Sequence, residues 1–163
     1  MTSYKLLSFA ALLLAATLST GCSHHAPTSA DLFNDPSAIP SGKLPYNPLQ
    51  WKVITSAIDP QQKTMSTLYG NDMAVRSARA GDASYPDGSL LSLVTWSQRD
   101  DAHWFGARIP NELRSVEFVT IAGKDTFYQR YQGPSLEKAS QESPQDESTK
   151  KDAILTLKAP FLP

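Results

Sequence analysis

The sequence predicts an α+β domain, a mostly antiparallel sheet packed with at least one short helix. Three observations carry the prediction. Short runs of β-formers recur between turn signals from Trp51 to Tyr131. One segment, Asp72 to Ala80, has helix caps at both ends. No internal repeat is present, and one clear helix among many short strands makes a mostly antiparallel sheet the expectation.

The elements follow in order. Trp51 to Ile58 is rich in β-branched and aromatic residues and ends at Asp59-Pro60, a turn signal. Thr64 to Tyr69 is a second strand, stopped by Gly70-Asn71. Asn71 is a good N-cap for the helix and Gly81 its terminator. Asp72 and Arg79 complement the helix dipole. Met73, Ala74, Ser77 and Ala78 share a small-residue face suited to lying close on a sheet. Tyr85-Pro86-Asp87-Gly88 is a turn. From Ser89 to Gln98, Leu91 and Leu93 point one way and Leu90, Val94 and Trp96 the other, as in a central strand covered on both faces. His103 to Ile109 is expected to be extended and to break at Pro110-Asn111. Val116 to Ile121 and Thr126 to Tyr131 read as a hairpin around Ala122-Gly123-Lys124-Asp125. Residues 135–152 are polar and charged and read as a mobile loop. Ala153 to Lys158 is expected to close the sheet as a last strand.

The amino-terminal part is an address. Lys5 is followed by an apolar run from Leu6 to Leu18, too short for the roughly 20 residues of a spanning helix. Small residues then lead to Cys22, which makes a secretory signal. Ser19-Thr20-Gly21-Cys22 resembles the bacterial lipoprotein box, although Ser19 stands where the commonest box has leucine. The resemblance implies cleavage after residue 21 and diacylglyceryl attachment at Cys22. The membrane is then the first expected partner, reached through lipid, and several acyl chains hold where one does not. The resemblance to enteric lipoproteins further implies, from Ser23 in place of Asp, delivery to the outer membrane with the domain facing the periplasm. Residues 22–45, rich in Ser, Pro, Ala and Asn, read as a flexible tether, and 46–163 as the domain. His24 and His25 lie in that tether without a third ligand nearby, so no metal site is assigned.

The formal charge of the 163-residue chain is -1 and no Lys/Arg block occurs, which excludes a nucleic-acid footprint. A single cysteine excludes a disulfide within the chain, a four-cysteine zinc site and a C-x-x-C-H haem attachment.

The order of segments resembles the cytochrome P-460 family over residues 46–133. The motifs are Trp51-Lys52-Val53-Ile54, then Thr67-Leu68-Tyr69-Gly70-Asn71-Asp72 running into a short helix, then Tyr85-Pro86-Asp87-Gly88 before an apolar strand. Late aromatic strands around Phe118 and Phe127-Tyr128 complete the series. The resemblance implies a periplasmic, mostly antiparallel domain that is often a homodimer. Haem-bearing members oxidise hydroxylamine or bind nitric oxide, holding a c-type haem through C-x-x-C-H and in some a lysine cross-link. This chain lacks that motif, so the resemblance implies fold and compartment, with no cofactor expected and no cross-linking lysine assigned.

Trp51, Tyr69, Trp96, His103 and Trp104 are the candidate lining of an apolar ligand pocket, with ordinary core packing the competing reading of the aromatics. His103, the one histidine inside the domain, lies near Asp100 and Asp101, an arrangement of a general base or of an axial ligand for non-covalent haem. No nucleophile motif such as G-x-S-x-G accompanies it, and no catalytic residue is assigned. Asp72, Asp82 and Asp87 are given to caps and turns, and Glu137, Lys138, Glu142, Asp146, Glu147, Lys150 and Lys151 to a solvated loop. The expected function is a lipid-anchored, non-enzymatic module for a small ligand or partner. Its alternatives are a non-covalent haem protein acting on or sensing hydroxylamine or nitric oxide, and an enzyme with a new site in the same pocket.

Overall fold

The computed structural model describes residues 38–40, 42–101, 104–133, 135–140 and 143–157. All of them belong to the second of two units, Phe33–Pro163. Cys22, His24, His25 and His103 lie outside the described residues.

Among the described residues, six strands form one antiparallel meander in the order β1-β2-β3-β4-β5-β6. They are β1 (Lys52–Asp59), β2 (Thr64–Gly70), β3 (Leu90–Asp100), β4 (Arg108–Ala122), β5 (Asp125–Gln132) and β6 (Glu137–Lys138). Helix α1 (Asp72–Ala80) links β2 to β3, and α2 (Pro144–Thr156) follows β6. This is the α+β arrangement that the strand and cap signals predict.

Helix α1 forms where its caps place it. The Asn71 side chain accepts from the Ala74 amide at 3.0 Å, and its Nδ2 donates to the Gly88 carbonyl at 2.9 Å. Gly81 ends the helix at φ 73°, a left-handed conformation natural to glycine. Lys52 meets Asp72 at 2.7 Å, and that ammonium holds the exposed Asp72 carboxyl below its usual range. Close approach of helix and sheet needs Gly70. A Cβ there would lie 2.7 Å from Ile54 Cδ1 and 3.0 Å from the Ala74 Cβ.

Both faces of the central strands are covered, because successive side chains alternate. On one face Ile54, Leu68, Leu91 and Val119 pack with Ala74, Val75 and Ala78 of α1 and Ile154 of α2. On the other, Val94, Trp96, Leu113, Val116, Phe118 and Tyr131 pack with Leu136, and Ala38, Leu44, Trp51 and Tyr69 close over them. Residues 38–40 and 42–45, which composition assigns to the tether, therefore include side chains seated on the sheet. The indole N–H of Trp96 donates to the Ala38 carbonyl at 2.7 Å.

The carboxy-terminal third departs from the expected loop and closing strand. Within 135–152, residues Glu137–Lys138 add a sixth strand and Pro144 starts a helix. The helix runs through Ala153 to Thr156, where a strand was expected. Ser143 caps it, accepting from the Asp146 amide at 3.2 Å and donating to the Asp146 carboxylate at 2.7 Å. Proline at the first helical position and acidic residues in the first turn add the usual helix-start chemistry. Ile154, 1% exposed, pins it to the first core face. A helix with one deeply buried residue carries almost no hydrophobic periodicity, which is why its composition reads as a loop.

A second departure concerns His103 to Pro110. Among the described residues, Trp104 to Gly106 form a turn rather than extended chain, and β4 runs through Pro110 instead of breaking there. The proline sits opposite Gln98, where the β3–β4 register shifts. Gln98 directs its amide to the Lys63 carbonyl at 2.9 Å, so no ladder bond from residue 110 is lost.

Candidate functional site

The β4–β5 turn sets the register of a buried polar cluster. With Ala122 opposite Asp125, Glu117 falls opposite Arg130 and Val119 opposite Tyr128. Glu117 shares a face with fully buried Val119 and is itself 8% exposed. Burying a carboxylate is costly unless it is compensated. The Tyr128 hydroxyl donates to Glu117 Oε2 at 2.7 Å, and the Ser115 hydroxyl donates to Oε1 at 3.3 Å. The Arg130 Nε lies 3.9 Å from Oε1, at the outer limit of an ion pair.

A cavity of about 400 Å³ adjoins this cluster, lined by Tyr128, Arg130, Lys138, Ser140 and Glu147 among others. The Ala139 amide donates to the Arg130 carbonyl at 2.8 Å and holds this segment beside β5. Glu147 comes from the first turn of α2. The wall thus carries two cations and a carboxylate over an anchored tyrosine, a lining suited to a small polar or charged ligand. A second cavity, about 540 Å³, lies at the β5–β6 edge beside Gly42, Tyr131 and Leu136, with Lys138 common to both. Among the described residues no group of three or more His, Cys, Asp or Glu side chains is placed to hold a metal ion.

Three of the five residues read from sequence as pocket lining come together on the opposite face. Trp51 packs edge-on to Phe118 (centroids 6.2 Å, 83°), and Phe118 to Tyr131 (5.9 Å, 82°). Tyr46 caps Trp51 at 5.5 Å. Tyr69 joins this cluster, and burial pushes its hydroxyl pKa up, partly offset by a hydrogen bond with Thr67. Trp96 is 6% exposed. None of the three lines either cavity. Trp104 stands away from them on the β3–β4 turn, 72% exposed, and His103 lies outside the described residues.

Sequence patterns assign no role to Glu117 and Arg130, quote Tyr128 only as part of a late aromatic strand, and give Lys138 and Glu147 to a solvated loop. One signal was there. Glu117 shares its strand face with the apolar Val119 and Ile121, and counting back from the two-residue turn puts Arg130 opposite it.

The model of the cytochrome P460 family matches residues 46–150. The chain belongs to that family. The match runs past residue 133, where the motif resemblance ends, and includes β6 and the first half of α2. No curated protein matches the chain.

Proposed function

We propose that this chain is a lipid-anchored cell-envelope protein whose cytochrome P460 domain binds a small polar ligand without covalent haem and without catalysing a reaction. The observation that supports this most directly is the charged cavity seated on the Glu117–Tyr128 pair. A ligand-sized recess with fixed hydrogen-bonding groups is a binding device.

Haem is the cofactor that the family implies, and the described residues do not fit it. Attachment through C-x-x-C-H needs two cysteines, and the single cysteine of the sequence, Cys22, lies outside the matched region. Neither cavity has a histidine, cysteine or methionine in its lining. The tyrosine hydroxyls there are engaged with Glu117 and Gln129. Axial ligation of haem iron draws on these side-chain types.

The test is an absorption spectrum of the full chain purified from bacterial membranes. A featureless visible region is expected. A Soret band that disappears in His103→Ala would overturn the reading in favour of non-covalent haem. Anchoring is tested separately: Cys22→Ser is expected to block processing, and normal maturation of that variant would refute the lipid attachment.

A further inference from the structure

We propose that the tip of the β3–β4 hairpin, Trp104 and Phe105, seats in the interfacial layer of the membrane that carries the lipid, as a second contact that orients the domain. The inference rests on the lipid-anchoring reading and adds a site outside the cavity. Trp104 is 72% exposed and Phe105 fully so, at 109%. Backbone hydrogen bonds tie the described residues of the tip. The Ala107 amide donates to the Trp104 carbonyl at 3.0 Å, and the Asp101 amide to the Ala107 carbonyl at 3.0 Å. Gly106 takes φ +78° and faces open space. Two adjacent aromatic rings presented to water on a closed turn form an exposed apolar patch, and such patches mark interaction sites.

Three features favour a membrane as the occupant. First, the described part of the chain begins at this end. The Trp96–Ala38 hydrogen bond places Ala38 beside the half of β3 that leads into the tip. From Ala38 back to Cys22 there are 16 residue steps, a reach of at most about 55 Å when fully extended. Second, the same end carries further exposed apolar groups. Ile58 (58% exposed) pairs with Met65, which in turn pairs with Trp96, and Ile39 follows Ala38. Third, the stem charges cancel. Asp100 and Arg108 form an exposed ion pair at 2.8 Å, so the attraction is apolar rather than electrostatic. Tryptophan is favoured at the headgroup level, where its ring meets apolar chains and its N–H meets water.

The test reconstitutes the full chain in phosphatidylcholine vesicles with or without brominated acyl chains and measures tryptophan quenching. Of three tryptophans, Trp96 is buried and Trp51 sits half-buried in an aromatic cluster. Brominated lipid is therefore expected to remove about a third of the emission, the share of the one interfacial ring. Trp104→Phe is expected to abolish that loss while keeping an aromatic tip. Phe105→Ser is expected to reduce it, with the far-ultraviolet dichroism of the fold unchanged. High salt is expected to leave it intact. Mass spectrometry of the same sample reads the acylation of Cys22. Quenching no greater in the parent than in Trp104→Phe overturns the tip contact, whatever the state of Cys22, and leaves a protein surface as the occupant. Quenching by an unacylated chain upholds the tip contact and refutes the anchor.

Discussion

Removing the Glu117 carboxylate tests whether the polar cluster is a built feature of the fold. Glu117→Ala leaves the Tyr128 and Ser115 hydroxyls without their acceptor on a largely buried face. Hydrogen bonds to a charged group are each worth about 1.5–3 kcal/mol, and the short 2.7 Å bond from Tyr128 belongs in that range. The bond from Ser115, at 3.3 Å, contributes less. Arg130 adds under about 1 kcal/mol, since it stands 3.9 Å away and its side chain is 26% exposed. The loss is therefore about 2–4 kcal/mol, a fall in Tm of roughly 10 °C for a domain of this size. Glu117→Gln keeps an acceptor for Tyr128 and is expected to cost about half as much. Thermal unfolding of Glu117→Ala, Tyr128→Phe and the double variant completes a cycle, with an expected coupling of about 1–2 kcal/mol. A Tm change below about 2 °C in Glu117→Ala, or additive single variants, would refute the reasoning.

Two further predictions concern helix α2 and pH. Ile154→Ala is expected to cost about 2–5 kcal/mol and to remove hydrogen-exchange protection from 144–156, because Ile154 is the residue of α2 buried in the core; unchanged protection would show that the helix does not dock through it. Tyr69 and Tyr85 have pKa values raised by burial, so the folded state favours their neutral forms. The resulting stability is full below the unfolded value near 10 and is lost as pH rises through the raised folded value. Midpoints measured from pH 8 to 11.5 should fall at the alkaline end, less steeply in Tyr69→Phe, and an identical slope in that variant would contradict the assignment.

Much of the fold was legible wherever local chemistry decides the structure. Asn71 and Gly81 bound a helix by satisfying its ends, and Ala122 to Asp125 turn a hairpin whose flanking residues must then pair. Apolar residues on both sides of Leu90 to Trp96 mark a strand covered on both faces. The site was less legible, because it depends on which residues meet across strands. Trp51, Tyr69 and Trp96 do share one face, but they belong to a cluster closed by Ala38, Leu44 and Leu136. Trp104, close to them in composition, is carried to the far side of a turn.

Local chemistry alone marks the cores of β1 to β5, the first helix and the single thiol, because each rests on neighbours within a few residues or on composition. Contacts made in the folded chain settle that a polar tail winds into α2, that Glu117 is buried beneath Tyr128 and that residues near Ala38 cover the sheet. Those outcomes depend on contacts between residues 11 to 58 positions apart or on a single buried anchor, Ile154, and neither leaves a periodic trace in the chain.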